Sequence, residues 1–149
     1  MHDYLAETFL PAIAISDPVV ESIARAYPTV PDLNRSLTDM PCAMLPTHEL
    51  QAVEFKSAFL VQRYGIKLDV FVGPVTVEQG LLARKAAAYE QAIILACSGA
   101  QRLGGNASVI RGVRGERETM TRFEWAGQAY VGLDLWIDVT LQTTREHSA

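Results

Sequence analysis

The chain has 149 residues, near the commonest single-domain size, and 49% of them are hydrophobic against 20% charged, which suits one ordinary core and excludes a disordered chain. The net charge of -4 excludes general charge-driven binding to nucleic acid, although a local basic patch stays open. The longest apolar runs, "FLPAIAI" at 9 to 15 and "AIILAC" at 92 to 97, fall far short of the ~20 residues of a membrane helix.

One domain over 1–149 is expected, with an N-terminal arm at 1–16 as an option. "MHDYLAE" has neither the basic region nor the small-residue cleavage site of a signal peptide, so a protein made and used in a cytoplasm is expected. In chain order, "DYLAETFLPAIAI" reads either as a short helix broken near Pro11 or as an arm packed on a neighbouring subunit. A helix is predicted at about 18–27: Asp17 can accept the free amides of its first turn, Pro18 fits the first helical position, and Val19, Val20, Ile23 and Ala24 form its apolar stripe. Four prolines between 28 and 46 then exclude long regular structure and leave a loop with one short edge strand, "CAML". "LQAVEFKSAFLVQ" and "IKLDVFVG" read as a hairpin joined around Arg63, Tyr64 and Gly65. In its second arm Ile66, Leu68, Val70 and Val72 alternate with polar residues.

The strongest helix is predicted at about 77–98. "TVEQ" at 76–79 has the form of a capping box, and Leu82, Ala86, Tyr89, Ile93 and Ala96 recur at spacings of three and four, with Gly99 as a C-cap. Beyond it, "ASVIRGV", "RETMTRFEW" and "YVGLDLWIDVTLQ" read as strands. Every odd position from Phe123 to Leu141 is apolar or glycine, so a turn of odd length is expected between the last two strands, with "AGQ" at 126–128 as a three-residue loop. The fold class is therefore α+β: a largely antiparallel mixed sheet of four to five strands, packed by the long helix and the shorter N-terminal one.

Signatures of chemistry are sparse. Cys42 and Cys97 are the two cysteines, each among apolar neighbours and outside any metal spacing, and His48 is the one histidine away from the termini. They read more simply as buried thiols and a loop residue. No cofactor or metal site is expected, since "LGGN" and "RGVRGE" lack the spacing of a dinucleotide or phosphate loop. Asp134 and Asp138, about 13 Å apart along one strand face, are too far apart for paired acid-base work. Arg111, Arg114, Arg117 and Arg122 alternate with Glu116 and Glu118, which suits a solvated hairpin or charge pairing between subunits better than a phosphate stripe. Tyr130 and Trp136 stand on the polar parity of the last strand, so a covered or subunit-paired second face is expected. The candidate interface residues are thus Tyr130, Asp134, Trp136, Asp138, Arg111, Arg114 and Arg117.

The order of these elements, the "PCAMLP" segment, the strand "IKLDVFVGP", the long helix and the ending "WAGQAYVGLDLWIDV" at 125–139 resemble the tail terminators of long-tailed bacteriophages. The likeness covers residues 18 to 141, and the first 17 residues depart from the usual start of that family. It implies a structural virion protein of the neck, not an enzyme, assembled in the host cytoplasm. A homohexameric ring of it would cap the tail tube, end tube polymerisation and dock onto the head connector or stopper protein. DNA would pass through the lumen without sequence-specific binding, and no membrane would be involved. Another connector or stopper protein of the neck is the nearest alternative, followed by a small cytoplasmic enzyme using Cys42, Cys97 or His48.

Overall fold

The computed structural model describes residues 5–13, 25–27, 41–76, 79–99, 108–115 and 121–144. Its frame is one pair of long antiparallel strands, β4 (Phe59–Pro74) and β7 (Gln128–Thr144), in register from Phe59↔Thr144 to Pro74↔Tyr130 with one bulge between Phe71 and Gly73. Both are inner strands, paired along each other on one edge and with shorter strands on the other. β2 (Cys42–Met44) and β3 (His48–Phe55) pair successive stretches of the free side of β4. β6 (Thr121–Trp125) and β5 (Ser108–Gly115) do the same along β7. β1 (Arg25–Tyr27) adds to β2 in parallel, which makes the seven-stranded sheet mixed.

One face of the sheet is apolar and carries the helix α1 (Gln79–Gly99). Leu82, Ala86, Tyr89, Ile93 and Cys97 are buried at the spacing that puts them on one stripe, against Ile66, Leu68 and Val70 of β4 and Leu133, Leu135, Ile137 and Val139 of β7. A short N-terminal helix closes the same core. It is a π-helical stretch, Leu5–Phe9, running into a 3-10 turn, Leu10–Ala12, and it buries Ala6, Leu10 and Ile13. Residues 5–13 therefore pack on the core of their own subunit, as a short helix interrupted near Pro11 would. No helix among the described residues is long and apolar enough to cross a membrane.

The α+β class and the long helix are as expected, while several details differ. Among the described residues the sheet has seven strands where four to five were expected, and the segment at 25–27 is the one that no strand reading includes. Of the helix expected at 18–27, residues 18–24 lie outside the described residues and Arg25–Tyr27 is a strand, since it can extend the sheet beside β2 and bury Ala26 against the core. "CAML" is consequently an inner strand there, not an edge. The hairpin turn falls at Lys56, Ser57 and Ala58, closed by the Lys56 N–H donating to the Phe59 carbonyl at 2.9 Å. Arg63, Tyr64 and Gly65 lie inside β4. Residues 77 and 78 of the capping box lie outside the described residues.

The turn between β6 and β7 also differs. It holds Ala126 and Gly127, with Trp125 paired to Gln128, and both turn residues have positive φ, 50° and 77°. That is the mirror-image two-residue turn that matches strand twist, and glycine takes the second place without strain. A turn of even length does put the odd positions of the two arms on opposite faces: Phe123 and Trp125 lie with Tyr130, away from Leu133 and Leu135. The parity break is absorbed by a second core. Cys42, Met44, Phe71, Trp125 and Tyr130 are buried together, with Tyr27 and Phe123 packed against them. Phe71 stacks on Phe123 at 4.6 Å between ring centroids and meets Trp125 edge-on at 6.3 Å.

Gly132 makes that stacking fit. It pairs with Phe71, and an added Cβ would collide with the Val70 carbonyl and come within 2.9 Å of the Phe123 ring. Gly132→Ala is expected to destabilise the fold by about 3 kcal/mol, roughly 10 °C in Tm for a chain of this size, read by thermal unfolding. An unchanged Tm would show that the backbone there is looser than drawn.

Candidate functional site

The second face of the sheet changes character along β4 and β7, one cross-strand row at a time. The row Phe71/Gly132 belongs to the aromatic core; next come Asp69/Asp134, Lys67/Trp136 and Gly65/Asp138. All these residues share one face because the ladder is antiparallel and the side chains alternate with period two. Apolar residues on the opposite parity hold the strands on the helix, so the polar residues are presented together on this side.

Lys67 donates to Asp134 at 3.3 Å, with both side chains largely buried. Trp136 lies between two cations, with the Lys67 ammonium 5.3 Å and the Arg114 guanidinium 5.4 Å from its ring centroid. This arrangement lets a tryptophan sit among charges, since its ring face is electron-rich. The Arg114 Nε donates to both carboxylate oxygens of Asp138, at 2.9 and 3.1 Å. Asp138 also accepts from Gln51 of β3 at 3.0 Å, and Arg111 of β5 donates to Gln51 at 2.8 Å. Side chains from the two outer strands thus meet across β4 and β7, as a curled sheet allows. Gly65 lies beneath them. A Cβ there would stand 2.9 Å from Arg114 Nη2 and 3.1 Å from Trp136, so this glycine makes room for side chains and does not turn the chain.

The candidate interface residues therefore divide. Asp134, Trp136, Asp138, Arg111 and Arg114 do form one cluster, knit within the subunit. Tyr130 does not belong to it: it is only 3% exposed in the aromatic core, its hydroxyl donating to Gln128 at 3.3 Å, so its burial needs no neighbouring copy. Trp136 is half-buried, flanked within its own chain by Lys67 and Arg114. Arg117, Glu116 and Glu118 lie outside the described residues. Reading by alternation found the Asp134, Trp136, Asp138 side of this cluster, but it missed Gln51, Lys67 and Asp69. The partners of Lys67 and Asp69 are set by the β4–β7 register, and those of Gln51 depend also on the bulges in β3 and β5.

Asp69 is the anomaly of this face. It lies between Met44 on β2 and Asp134 on β7, and its Oδ1 is buried with no hydrogen-bond partner. Burial, opposed by Lys67 and aided by the Asp134 charge, raises its pKa from 3.8 to about 6. Elsewhere, burial pushes the Cys97 thiol up to about 11, away from the thiolate a nucleophile needs, and Cys42 lies in the aromatic core. His48 is exposed on β3 and meets Tyr64 edge-on at 5.9 Å. Among the described residues no group of three or more His, Cys, Asp or Glu could hold a metal ion.

Because the folded pKa of Asp69 is raised, its contribution to stability is fully present below about pH 4 and lost as the pH rises through about 6. Asp69→Asn keeps the shape and removes the charge. The variant is expected to melt higher than the wild-type chain above pH 7, with the difference vanishing near pH 4 in thermal scans; parallel pH profiles would contradict this.

Among known proteins, no family model matches the chain and no curated protein matches it.

Proposed function

We propose that the chain is a structural virion protein of a long-tailed bacteriophage, a tail terminator. In this role six copies assemble into a ring that caps the tail tube, ends its polymerisation and joins the tail to the head connector while DNA passes through the lumen. The observation that supports this most is the place of "WAGQAYVGLDLWIDV". With its hairpin turn it supplies an inner strand of a curled α+β sheet covered by one long helix, in keeping with the helix-packed sheet that the resemblance implies. The surface chemistry is compatible with assembly. The two outer strands β3 and β5 carry Leu50, Val53, Phe55 and Val109, all exposed, and a folded monomer gains nothing by presenting them.

The test is to add purified protein to growing tail tubes and examine them by electron microscopy. A ring at one tube end and arrested elongation are expected. Tubes that elongate unchanged, with protein never found at their ends, would contradict the reading, and steeply salt-dependent DNA binding by the isolated chain would favour a nucleic-acid role for Arg111 and Arg114 instead.

A further inference from the structure

Granting that the chain works as an assembled ring, we infer that successive copies join head to tail by strand addition. β3 of one copy lies antiparallel along the outer edge of β5 of the next, and its apolar side chains enter the groove between β5 and α1.

Four independent features of the two strands agree. Among the described residues β3 pairs only with β4 and β5 only with β7, so they are the two flanks of the order β3-β4-β7-β5. Each has eight residues. Every neighbouring pair in that order is antiparallel, so β3 and β5 run in opposite senses. A rotation about an axis along the strands then sets β3 of one copy antiparallel beside β5 of the next. The two edges also stand at one level. Through β4, β3 is level with β7 residues 137–143, and β5 pairs β7 residues 135–141.

The two faces match as well. On the helix side β3 presents Leu50, Val53 and Phe55, with Leu50 52% and Phe55 73% exposed. On the same side of β5 a groove of about 330 Å³ separates the strand from α1, walled by the apolar Ile94, Cys97, Ile110 and Val113 together with Ser98, Arg111 and Gly112. A strand added to β5 would point its helix-side residues into that groove. On the other side β3 carries Glu49 and Glu54, while β5 carries Arg111 and Arg114. The existing ion pairs of Glu54, at 3.9 Å to Lys56 and 4.0 Å to Arg63, are loose and half-exposed, so they can be exchanged for an arginine of the neighbour. Apolar thus meets apolar on one side of the joint, and acid meets base on the other. The contact uses different surfaces of the two copies, so it closes into a ring or runs on as a filament according to the rotation.

Two single variants of the full chain test the joint. Phe55→Asp spoils the strand side and Ile94→Asp spoils the groove side; both positions are exposed, and thermal unfolding checks that each variant folds. Native mass measurement of the wild-type chain should find assemblies larger than a dimer, and each variant alone should remain monomeric. Mixed in equal amounts the variants retain one intact joint, so heterodimers and nothing larger are expected. Variants that assemble as the wild type does, or a mixture that stays monomeric, overturn the joint and leave the neck assignment standing. If the wild type assembles only on tube ends, the same comparison made there decides. A wild-type chain that assembles in neither setting overturns the joint and the neck assignment together.

Discussion

The β4–β7 ladder is the constraint on which the rest of the structure depends. Fifteen paired positions join the two strands, and the single bulge after Phe71 is its one interruption. Each strand turns one parity to α1 and the other to the second face, so a slip of one residue would exchange the two sets and put Lys67, Asp69 and Asp134 into the apolar core. Burial of Ile66, Leu68, Val70, Leu133, Leu135 and Ile137 makes that slip prohibitive. The register in turn fixes every contact of the polar cluster, none of which lies between residues near in sequence.

The second face is built in grades. Its aromatic end seals the β6–β7 hairpin against β2 and β4, and its charged end ties β3 to β5 through Gln51, Asp138, Arg111 and Arg114. Asp69 marks the boundary, where a carboxylate is desolvated by the aromatic side before the charged side can satisfy it. Among the described residues the outer strands are tied to each other at the charged end, where Gln51 of β3 bonds both Asp138 of β7 and Arg111 of β5.

Much of this was legible in the sequence, for identifiable reasons. The period of Leu82, Ala86, Tyr89 and Ile93 survives into α1, and the alternation of Ile66, Leu68, Val70 and Val72 survives into β4, because one large partner decides each. The turn at Ala126 and Gly127 was misjudged because a single core was assumed. With one core, Phe123, Trp125 and Leu133 must share a face; with an aromatic core on the reverse side they need not. Gly65 suggested a turn because glycine's freedom is visible in a sequence, whereas crowding by Arg114 and Trp136 is not. The strand at 25–27 follows a helix-like pattern and is settled by a pairing with β2 that no local signal announces. Of the candidate site, the members on β7 could be read, while Lys67 and Asp69 were seen only as the wet side of a strand.

Hydrogen exchange measured residue by residue on the native chain tests the two-faced ladder most directly. If β4 and β7 form the frame, the amides paired within residues 66–71 and 132–138 should exchange only through global unfolding, and those of β3 should exchange faster. Rapid exchange in the middle of β7, at a rate like that of β3, would contradict the account.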